Sequence, residues 1–129
     1  MILVDTSVWI ELLNGRMGRI VSPDDLLGFV TCGPVAQEVF QGLREAPGAA
    51  AFRDAFLDLP VLSYPLPLRL YLEAAEIYKH GRLRGYSIRS SLDCLIAAIA
   101  IENGASVWHR DRDFTAIARY TNLAVLHVS

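Results

Sequence analysis

The chain alternates short apolar runs with longer segments in which apolar residues recur every third or fourth position. Continuous apolar runs predict strands buried on both faces of a parallel sheet, whereas spacing of three or four predicts helices. The predicted strands cover residues 2–4, 27–32, 60–64, 105–108 and 123–126. The predicted helices begin after residue 5 and then cover 35–45, 49–57, 68–80, 90–104 and 113–120, with a helical turn at 23–25 and a basic turn at 81–85.

Strands that alternate with helices indicate an α/β fold with a parallel sheet. We expect a three-layer α/β/α sandwich around a central sheet of about five strands in the order 3-2-1-4-5. The predicted helix over 90–104 is apolar around nearly its whole circumference, so it should be central and buried. Ser90 is suited to its N-cap and Asn103-Gly104 to its end.

The composition fits one domain spanning residues 1–129, long enough to bury its own core. A hydrophobic fraction of 53% and a mean hydropathy of +0.31 fit buried strands or a sizeable subunit interface. No run reaches the roughly 18 unbroken apolar residues of a membrane span, and no basic region precedes Ile2 as in a signal peptide. Cys32 and Cys94 lie in apolar surroundings and fit reduced core residues, so we expect a cytoplasmic protein.

The formal net charge of −2 argues against bulk attraction to nucleic acid, but the basic residues are unevenly distributed. Half of the 12 lysines and arginines fall between positions 79 and 112. This segment forms either a local basic rim that steers a polyanion or a set of separate solvated helix faces. The six residues are Lys79, Arg82, Arg84, Arg89, Arg110 and Arg112.

Acidic residues recur where predicted strands end or helices begin. Asp5 follows the first strand, Asp111 and Asp113 follow the fourth, Glu38 lies early in the helix after the second, and Asp93 lies in the first turn of the buried helix. Carboxyl ends of parallel strands share one edge, and strands one and four are neighbours in the expected order. Four acids, Asp5, Glu38, Asp93 and Asp111, would then crowd one crevice. Asp113 also fits the cap of the helix that follows it, which favours Asp111 as the direct metal-site candidate.

Carboxylates crowded in this way require neutralisation. Two of them about 4 Å apart repel by roughly 4 kcal/mol at an effective dielectric constant of 20. A hard divalent cation removes this repulsion, and a site of oxygen ligands alone favours Mg²⁺ or Mn²⁺. Such ions activate water in phosphodiester hydrolysis, and no catalytic histidine or cysteine is then required.

Each acid also has a purely structural interpretation. Asp5 fits the cap of the first helix, Ser90 and Asp93 fit a capping box, and Glu38 fits a solvated helix position. Only the metal-site interpretation predicts that all of the acids share one edge of the sheet.

Four sequence features together resemble the acidic signature of PIN domains, in the compact form of VapC-type toxins from bacterial toxin–antitoxin pairs. The resemblance extends from residue 2 to the closing strand. The features are Val4-Asp-Thr-Ser-Val-Trp-Ile10, Glu38, Ser91-Leu-Asp-Cys-Leu-Ile-Ala97 and Arg110-Asp-Arg-Asp-Phe114.

The resemblance implies an endoribonuclease that depends on Mg²⁺ or Mn²⁺ and hydrolyses RNA phosphodiester bonds with a metal-activated water. By motif match, Asp5, Glu38, Asp93 and Asp111 take the places of the family's catalytic, metal-binding acids. Asp113 is then a fifth acid at the rim.

The resemblance also assigns supporting positions. Thr6 stands where a family hydroxyl supports the cluster by hydrogen bonding. His109 stands where the family commonly carries threonine or serine, and its imidazole would orient the water, ligate a softer ion or weaken the site. An exposed histidine at a strand end is the alternative. We expect the basic side chains nearest the acids to contact RNA, namely Arg89, Arg110 and Arg112.

Family toxins are usually homodimers, held inactive by a cognate VapB-like antitoxin whose C-terminal segment lies across the active-site groove. Trp9, Leu13 and Phe40 are expected at the apolar wall of that groove, with core packing as the alternative for each.

Two alternative functions of an α/β domain with an acidic site are excluded by specific residues. A receiver-like phosphoacceptor needs a lysine after the last strand, but the only lysine is Lys79, in a predicted helix. A phosphatase with an Asp-x-Asp pair after the first strand is excluded because position 7 is serine. A catalytically degenerate PIN-like module that binds RNA or protein stays open as an alternative function.

Overall fold

Four parallel strands form the central sheet of this computed structural model, which describes residues 1–14 and 26–127. The strands are β1 (Ile2–Val4), β2 (Phe29–Val30), β3 (Ser106–His109) and β4 (Ala124–His127). The helices are α1 (Thr6–Leu13), α2 (Gly33–Gly42), α3 (Ala49–Leu57), α4 (Leu68–Leu83), α5 (Ser91–Asn103) and α6 (Arg112–Tyr120). The helical turn predicted at 23–25 lies outside the described residues.

The strand order is β2-β1-β3-β4, so the two strands that carry acids at their ends, β1 and β3, lie side by side at the centre. Leu3 and Val107, which face each other across this pair, are both fully buried. The predicted α/β fold with a central parallel sheet is confirmed, with four strands in place of about five.

The segment predicted as the remaining strand, residues 60–64, makes one isolated bridge between Val61 and Thr31. Thr31 N donates to the carbonyl of Pro60 at 2.9 Å, and Leu62 N donates to the carbonyl of Thr31 at 2.8 Å. The pairing ends there because the backbone turns at Ser63, whose φ of +53° lies in the left-handed region and breaks the extended conformation. This segment therefore occupies the expected place beside β2 without forming a strand.

The most buried helix is α5, as its composition predicts, and it packs mainly against α4. It ends at Gly104, whose φ of +65° suits glycine. The Ser90 side chain makes no capping hydrogen bond, so the capping box predicted for Ser90 and Asp93 does not form. The carboxylate of Asp93 is thus available for other contacts.

The predicted basic turn at 81–85 is partly helical, because α4 continues to Leu83. Gly81 faces α6, and a Cβ at this position would lie 2.5 Å from the hydroxyl oxygen of Tyr120. That hydroxyl donates to the carbonyl of Ile77 at 2.8 Å, so Gly81 permits the close approach of the two helices. Across the described part of the chain, no helix combines the length and apolar character needed to cross a membrane.

Candidate active site

The four predicted acids meet at the carboxyl edge of the sheet. Asp5 is the N-cap of α1 directly after β1, and Asp111 is the N-cap of α6 after β3. Glu38 lies on α2 and Asp93 in the first turn of α5. Burial raises the pKa of Asp5, Glu38 and Asp93, and the negative charge of Asp111 raises each of these pKa values further. One carboxylate therefore acts electrostatically on the other three.

The carboxylate of Asp5 is held by Ser7. Its Oδ2 accepts hydrogen bonds from the Ser7 backbone N–H at 3.1 Å and from the Ser7 hydroxyl at 2.6 Å. Ser7 Oγ also accepts a hydrogen bond of 3.2 Å from the backbone N–H of Arg110. Asp5 thus caps α1, as its structural interpretation predicts, and also lies among the acids. The sequence pattern does not indicate the contact of Ser7 with the backbone of Arg110, which depends on the pairing of β1 with β3.

Glu38 is paired with Thr6, whose hydroxyl donates to Glu38 Oε1 at 3.1 Å. The side chain is half-buried, because α2 turns this face towards α1. Glu38 is thus not an ordinary solvated helix residue. The hydrogen bond from Thr6 is the kind of contact that the family resemblance implied.

Asp93, Asp111 and Asp113 form the tightest part of the cluster, with one carboxylate oxygen from each lying within 4.8 Å of the others. Asp113 is only 2% exposed, so the prediction of an acid at the rim is wrong. Its carboxylate accepts hydrogen bonds from the backbone N–H groups of Arg89 at 3.2 Å and Ser90 at 3.1 Å.

The predicted capping role of Asp113 is also wrong, because the N-cap of the helix lies two residues earlier than expected. Asp111 is the N-cap of α6, and its carboxylate accepts a hydrogen bond of 2.9 Å from Asp113 N. Asp113 consequently lies in the first helical turn, with its side chain directed back to the start of α5.

The site fits a hard divalent cation. Burial, followed by the hydrogen bond with Asp113 and the nearby charges of Asp5, Asp111 and Asp113, raises the pKa of Asp93 to about 9. Asp93 therefore carries a proton at neutral pH when no cation neutralises the cluster. Its Oδ2 is buried and has no hydrogen-bond partner among the described residues. A buried carboxylate oxygen of this kind, in a set of oxygen donors only, suits Mg²⁺ or Mn²⁺.

His109 is fully buried, so the interpretation as an exposed histidine at a strand end is wrong. On β3 its side chain lies on the same face as the buried side chain of Val107, two residues earlier. Because β3 lies between two other strands of the sheet, this face points into the core. Its Nδ1 accepts a hydrogen bond of 3.1 Å from Asp111 N, and its ring contacts Phe114 and His127. Burial and the neighbouring His127 lower the pKa of His109, which favours the neutral imidazole.

The three predicted RNA-contacting arginines differ in their surroundings. The Arg89 guanidinium lies 3.6 Å from Asp111 and 3.8 Å from Asp113. Arg110 makes a shorter ion pair of 2.7 Å with Glu11, a buried residue of α1 that the sequence pattern did not identify. Arg112 is exposed, and none of the ion pairs observed between residues 1–14 and 26–127 includes it.

A cleft of about 780 Å³ lies beside the acids, and Thr6 and Glu38 form part of its wall. Trp9 and Leu13 also line it, although Trp9 is fully buried and packs edge-on against Phe56, so core packing dominates its environment. Phe40 is absent from the described residues that line the cleft and packs on Phe56 with ring centroids 5.3 Å apart.

Comparison with known proteins agrees with this geometry. The PIN domain family model matches residues 2–120. The chain is 36% identical to ribonuclease VapC11 of Mycobacterium tuberculosis over 95% of this chain and 96% of that protein. It is 33% identical to ribonuclease VapC32 of the same organism over 97% of this chain and 96% of that protein.

Solved structures share the fold at lower sequence identity. VapBC2 from Rickettsia felis, bound to a DNA fragment from its promoter, matches with a TM-score of 0.72 and 18% identity over 100% of both chains. VapBC-5 from Mycobacterium tuberculosis matches with a TM-score of 0.68 and 21% identity over 98% of this chain and 97% of that chain. The chain therefore belongs to the PIN domain family and, within it, to the VapC proteins.

Proposed function

We propose that this protein is a divalent-cation-dependent endoribonuclease, acting in the cytoplasm as the toxin of a toxin–antitoxin pair. The observation that carries the proposal is the convergence of Asp5, Glu38, Asp93 and Asp111 on one edge of the sheet, with an unpartnered buried oxygen on Asp93. Relatives that cover nearly the whole chain are named ribonucleases, which supports the same reaction class.

The four acids would hold Mg²⁺ or Mn²⁺. When bound, such an ion activates water for attack on the phosphodiester and offsets charge on the phosphate. Thr6 orients Glu38 through its hydroxyl, and Asp93 would release its proton to solvent in order to hold the ion. His109 supports Asp111 because its Nδ1 accepts a hydrogen bond from the backbone N–H of Asp111.

Asp113 has a different role in this proposal. Its two hydrogen bonds from the backbone before α5 fix the start of the helix that carries Asp93. Its carboxylate also lies close enough to Asp93 and Asp111 to complete the oxygen set.

The substrate would approach along the basic side chains at this edge. Arg89, Arg110 and Arg112 supply positive charge beside the acids in a chain of net charge −2, and phosphate groups of RNA bind such side chains without regard to sequence.

Inhibition by a VapB-like antitoxin is the regulatory part of the proposal. VapBC-5, which shares the fold, is a member of the VapBC family of toxin–antitoxin systems. The cleft beside Thr6 and Glu38 is where an antitoxin segment would block access to the acids, and Leu13 supplies apolar surface there. We also propose a homodimer, which the mass of the purified protein in solution tests, since a monomeric mass would contradict it.

The test of the enzymatic proposal is cleavage of structured RNA by purified protein freed of any partner, in Mg²⁺ or Mn²⁺. Asp5→Asn should abolish cleavage without unfolding the protein, and EDTA should do the same for the natural sequence. Cleavage that survives both treatments would contradict the mechanism. Binding of RNA without cleavage in either cation would favour the degenerate binding module.

A further inference from the structure

Arg89 contacts the acidic cluster with both its backbone and its side chain. Its backbone N–H donates to Asp113 Oδ1 at 3.2 Å, while its guanidinium nitrogens lie 3.6 Å from Asp111 and 3.8 Å from Asp113. These side-chain distances exceed those of a charge-assisted hydrogen bond. The side chain is therefore attracted to the acids without being fixed by them.

Arg110, at the same edge of the sheet, is held in place by a short ion pair. Its guanidinium lies 2.7 Å from Glu11, whose side chain is 9% exposed, so that pair is short and shielded. The side chain of Arg89 is 57% exposed and lies 3.6 Å and 3.8 Å from its two partners, so each of its ion pairs is weaker than the short pair of Arg110, although Asp113 itself is buried. Of the two arginines, only Arg89 can leave its partner at little cost.

Because the backbone of Arg89 keeps its own contact with Asp113, movement of the side chain does not disturb the acids. The hydrogen bonds to Asp113 from Arg89 N and Ser90 N hold the chain before α5 wherever the guanidinium lies. The side chain can move while Asp93 and Asp113 stay in place.

A divalent cation would compete with Arg89 for the same charges. Among residues 1–14 and 26–127, the ion pairs to Asp111 and Asp113 all come from Arg89. A cation among these oxygens would satisfy their charge and repel the guanidinium. The displaced group would then lie at the mouth of the site, where a phosphate matches its planar set of donors.

We propose that Arg89 is an exchangeable counter-ion of the acidic cluster, which neutralises Asp111 and Asp113 in the cation-free protein and moves to an RNA phosphate once a divalent cation is bound. This role rests on the proposed nuclease function and adds to it a residue that takes part in both cation and substrate binding.

The first test measures Mn²⁺ affinity of the full chain without RNA, by electron paramagnetic resonance or calorimetry. Arg89→Gln should bind Mn²⁺ roughly two- to fivefold more tightly than the natural sequence, because a competing exposed charge is gone. Arg89→Lys keeps the charge and should bind Mn²⁺ like the natural sequence, as should Arg112→Gln, the matched control at the same edge. An Arg89→Gln affinity that is unchanged or weaker would overturn the proposal.

The second test measures RNA cleavage at saturating Mn²⁺ under single-turnover conditions. Arg89→Gln should raise the half-saturating protein concentration roughly fivefold and leave the maximal rate within about twofold, as expected for a lost phosphate contact. The negative slope of log affinity against log salt concentration should become less steep by about 0.7, the value for one phosphate contact to a single strand. A lower maximal rate with unchanged half-saturation and salt slope would overturn the phosphate contact.

The two proposals fail in different ways. Natural-sequence protein that neither binds Mn²⁺ nor cleaves RNA would overturn the nuclease function and the Arg89 role with it. Protein that does both, with Arg89→Gln no tighter for Mn²⁺, would overturn the counter-ion role alone.

Discussion

The hydroxyl oxygen of Ser7 lies 2.6 Å from Oδ2 of Asp5 and accepts a hydrogen bond of 3.2 Å from the backbone N–H of Arg110. One hydroxyl thus joins the acid after β1 to the loop after β3 that carries Asp111. Because these strands are neighbours in the sheet, the separation of the two acids depends on Ser7 as well as on the strand pairing.

Ser7→Ala should weaken the site more than the fold. The variant loses both hydrogen bonds of the hydroxyl, which would lower the free energy of unfolding by about 1 kcal/mol. RNA cleavage should fall roughly tenfold, because small displacements of catalytic groups are costly. Urea unfolding and initial cleavage rates measure the two effects. Ser91→Ala, at an exposed serine of α5, is the control and should match the natural sequence. A natural cleavage rate in Ser7→Ala would contradict this role.

Asp93→Asn should stabilise the protein when no cation is present. The pKa of Asp93 is raised to about 9 from an ordinary value of 3.8, so between these pH values the native state binds a proton that the unfolded chain releases. Native stability therefore falls as pH rises through this range, and the neutral amide escapes that loss. We expect the melting temperature in EDTA at pH 8 to rise by about 4 °C.

The same comparison at pH 5 is the control for that prediction. Asp93 is protonated in the native state there, and the unfolded chain binds more protons than at pH 8, so the advantage of Asp93→Asn should shrink. An equal difference in melting temperature at both pH values would show that Asp93 does not titrate in this way.

Cation binding should release a proton from Asp93. The protonated carboxyl must ionise before it can ligate, so Mn²⁺ affinity should increase between pH 6 and pH 8, by up to about tenfold per pH unit. Calorimetry at pH 7 in two buffers of different ionisation enthalpy counts the protons released. Asp93→Asn should release fewer protons for each ion bound, and a count equal to that of the natural sequence would contradict the assignment.

His109→Asn should change how stability depends on acid. The pKa of His109 is lowered in the native state, so below the unfolded value of 6.5 the unfolded chain binds more protons and the natural protein loses stability as pH falls. Removing the imidazole should cost about 2 kcal/mol at pH 8, where its packing and its hydrogen bond from Asp111 N are lost. Melting temperatures from pH 5 to pH 8 should form a flatter curve than for the natural sequence.

His80→Gln is the matched control, since His80 lies exposed on α4 beside Glu76. Its melting curve should follow that of the natural sequence. A His109→Asn curve that is parallel to the natural one would show that another group causes the acid sensitivity.

The sequence predicts the edge of the sheet where the acids meet because buried parallel strands are continuous apolar runs. Asp5 and Asp111 each follow such a run, and pairing of β1 with β3 brings the two strand ends together. The caps are harder to predict, since moving the N-cap of α6 by two residues exchanges the roles of Asp111 and Asp113. Local sequence offers a capping side chain at both positions.

Other features depend on contacts that local patterns do not contain. Burial of His109 follows from the face of β3 on which it falls, and that face is decided by neighbouring strands and helices. The ion pair between Glu11 and Arg110 joins residues nearly a hundred positions apart, and no local pattern indicates that they pair. The segment at 60–64 has a strand-like composition, but its backbone turns at Ser63.

The pairing of β1 with β3 also determines when during synthesis the site can exist. Residues 2–4 are synthesised about a hundred residues before their partner in the sheet, residues 106–109, and Asp113, which fixes the start of α5, comes later still. A nascent chain on the ribosome therefore lacks the assembled acids until synthesis has passed residue 113. The toxin that we propose would be unable to cut RNA before the segment that carries Asp111 and Asp113 has been translated.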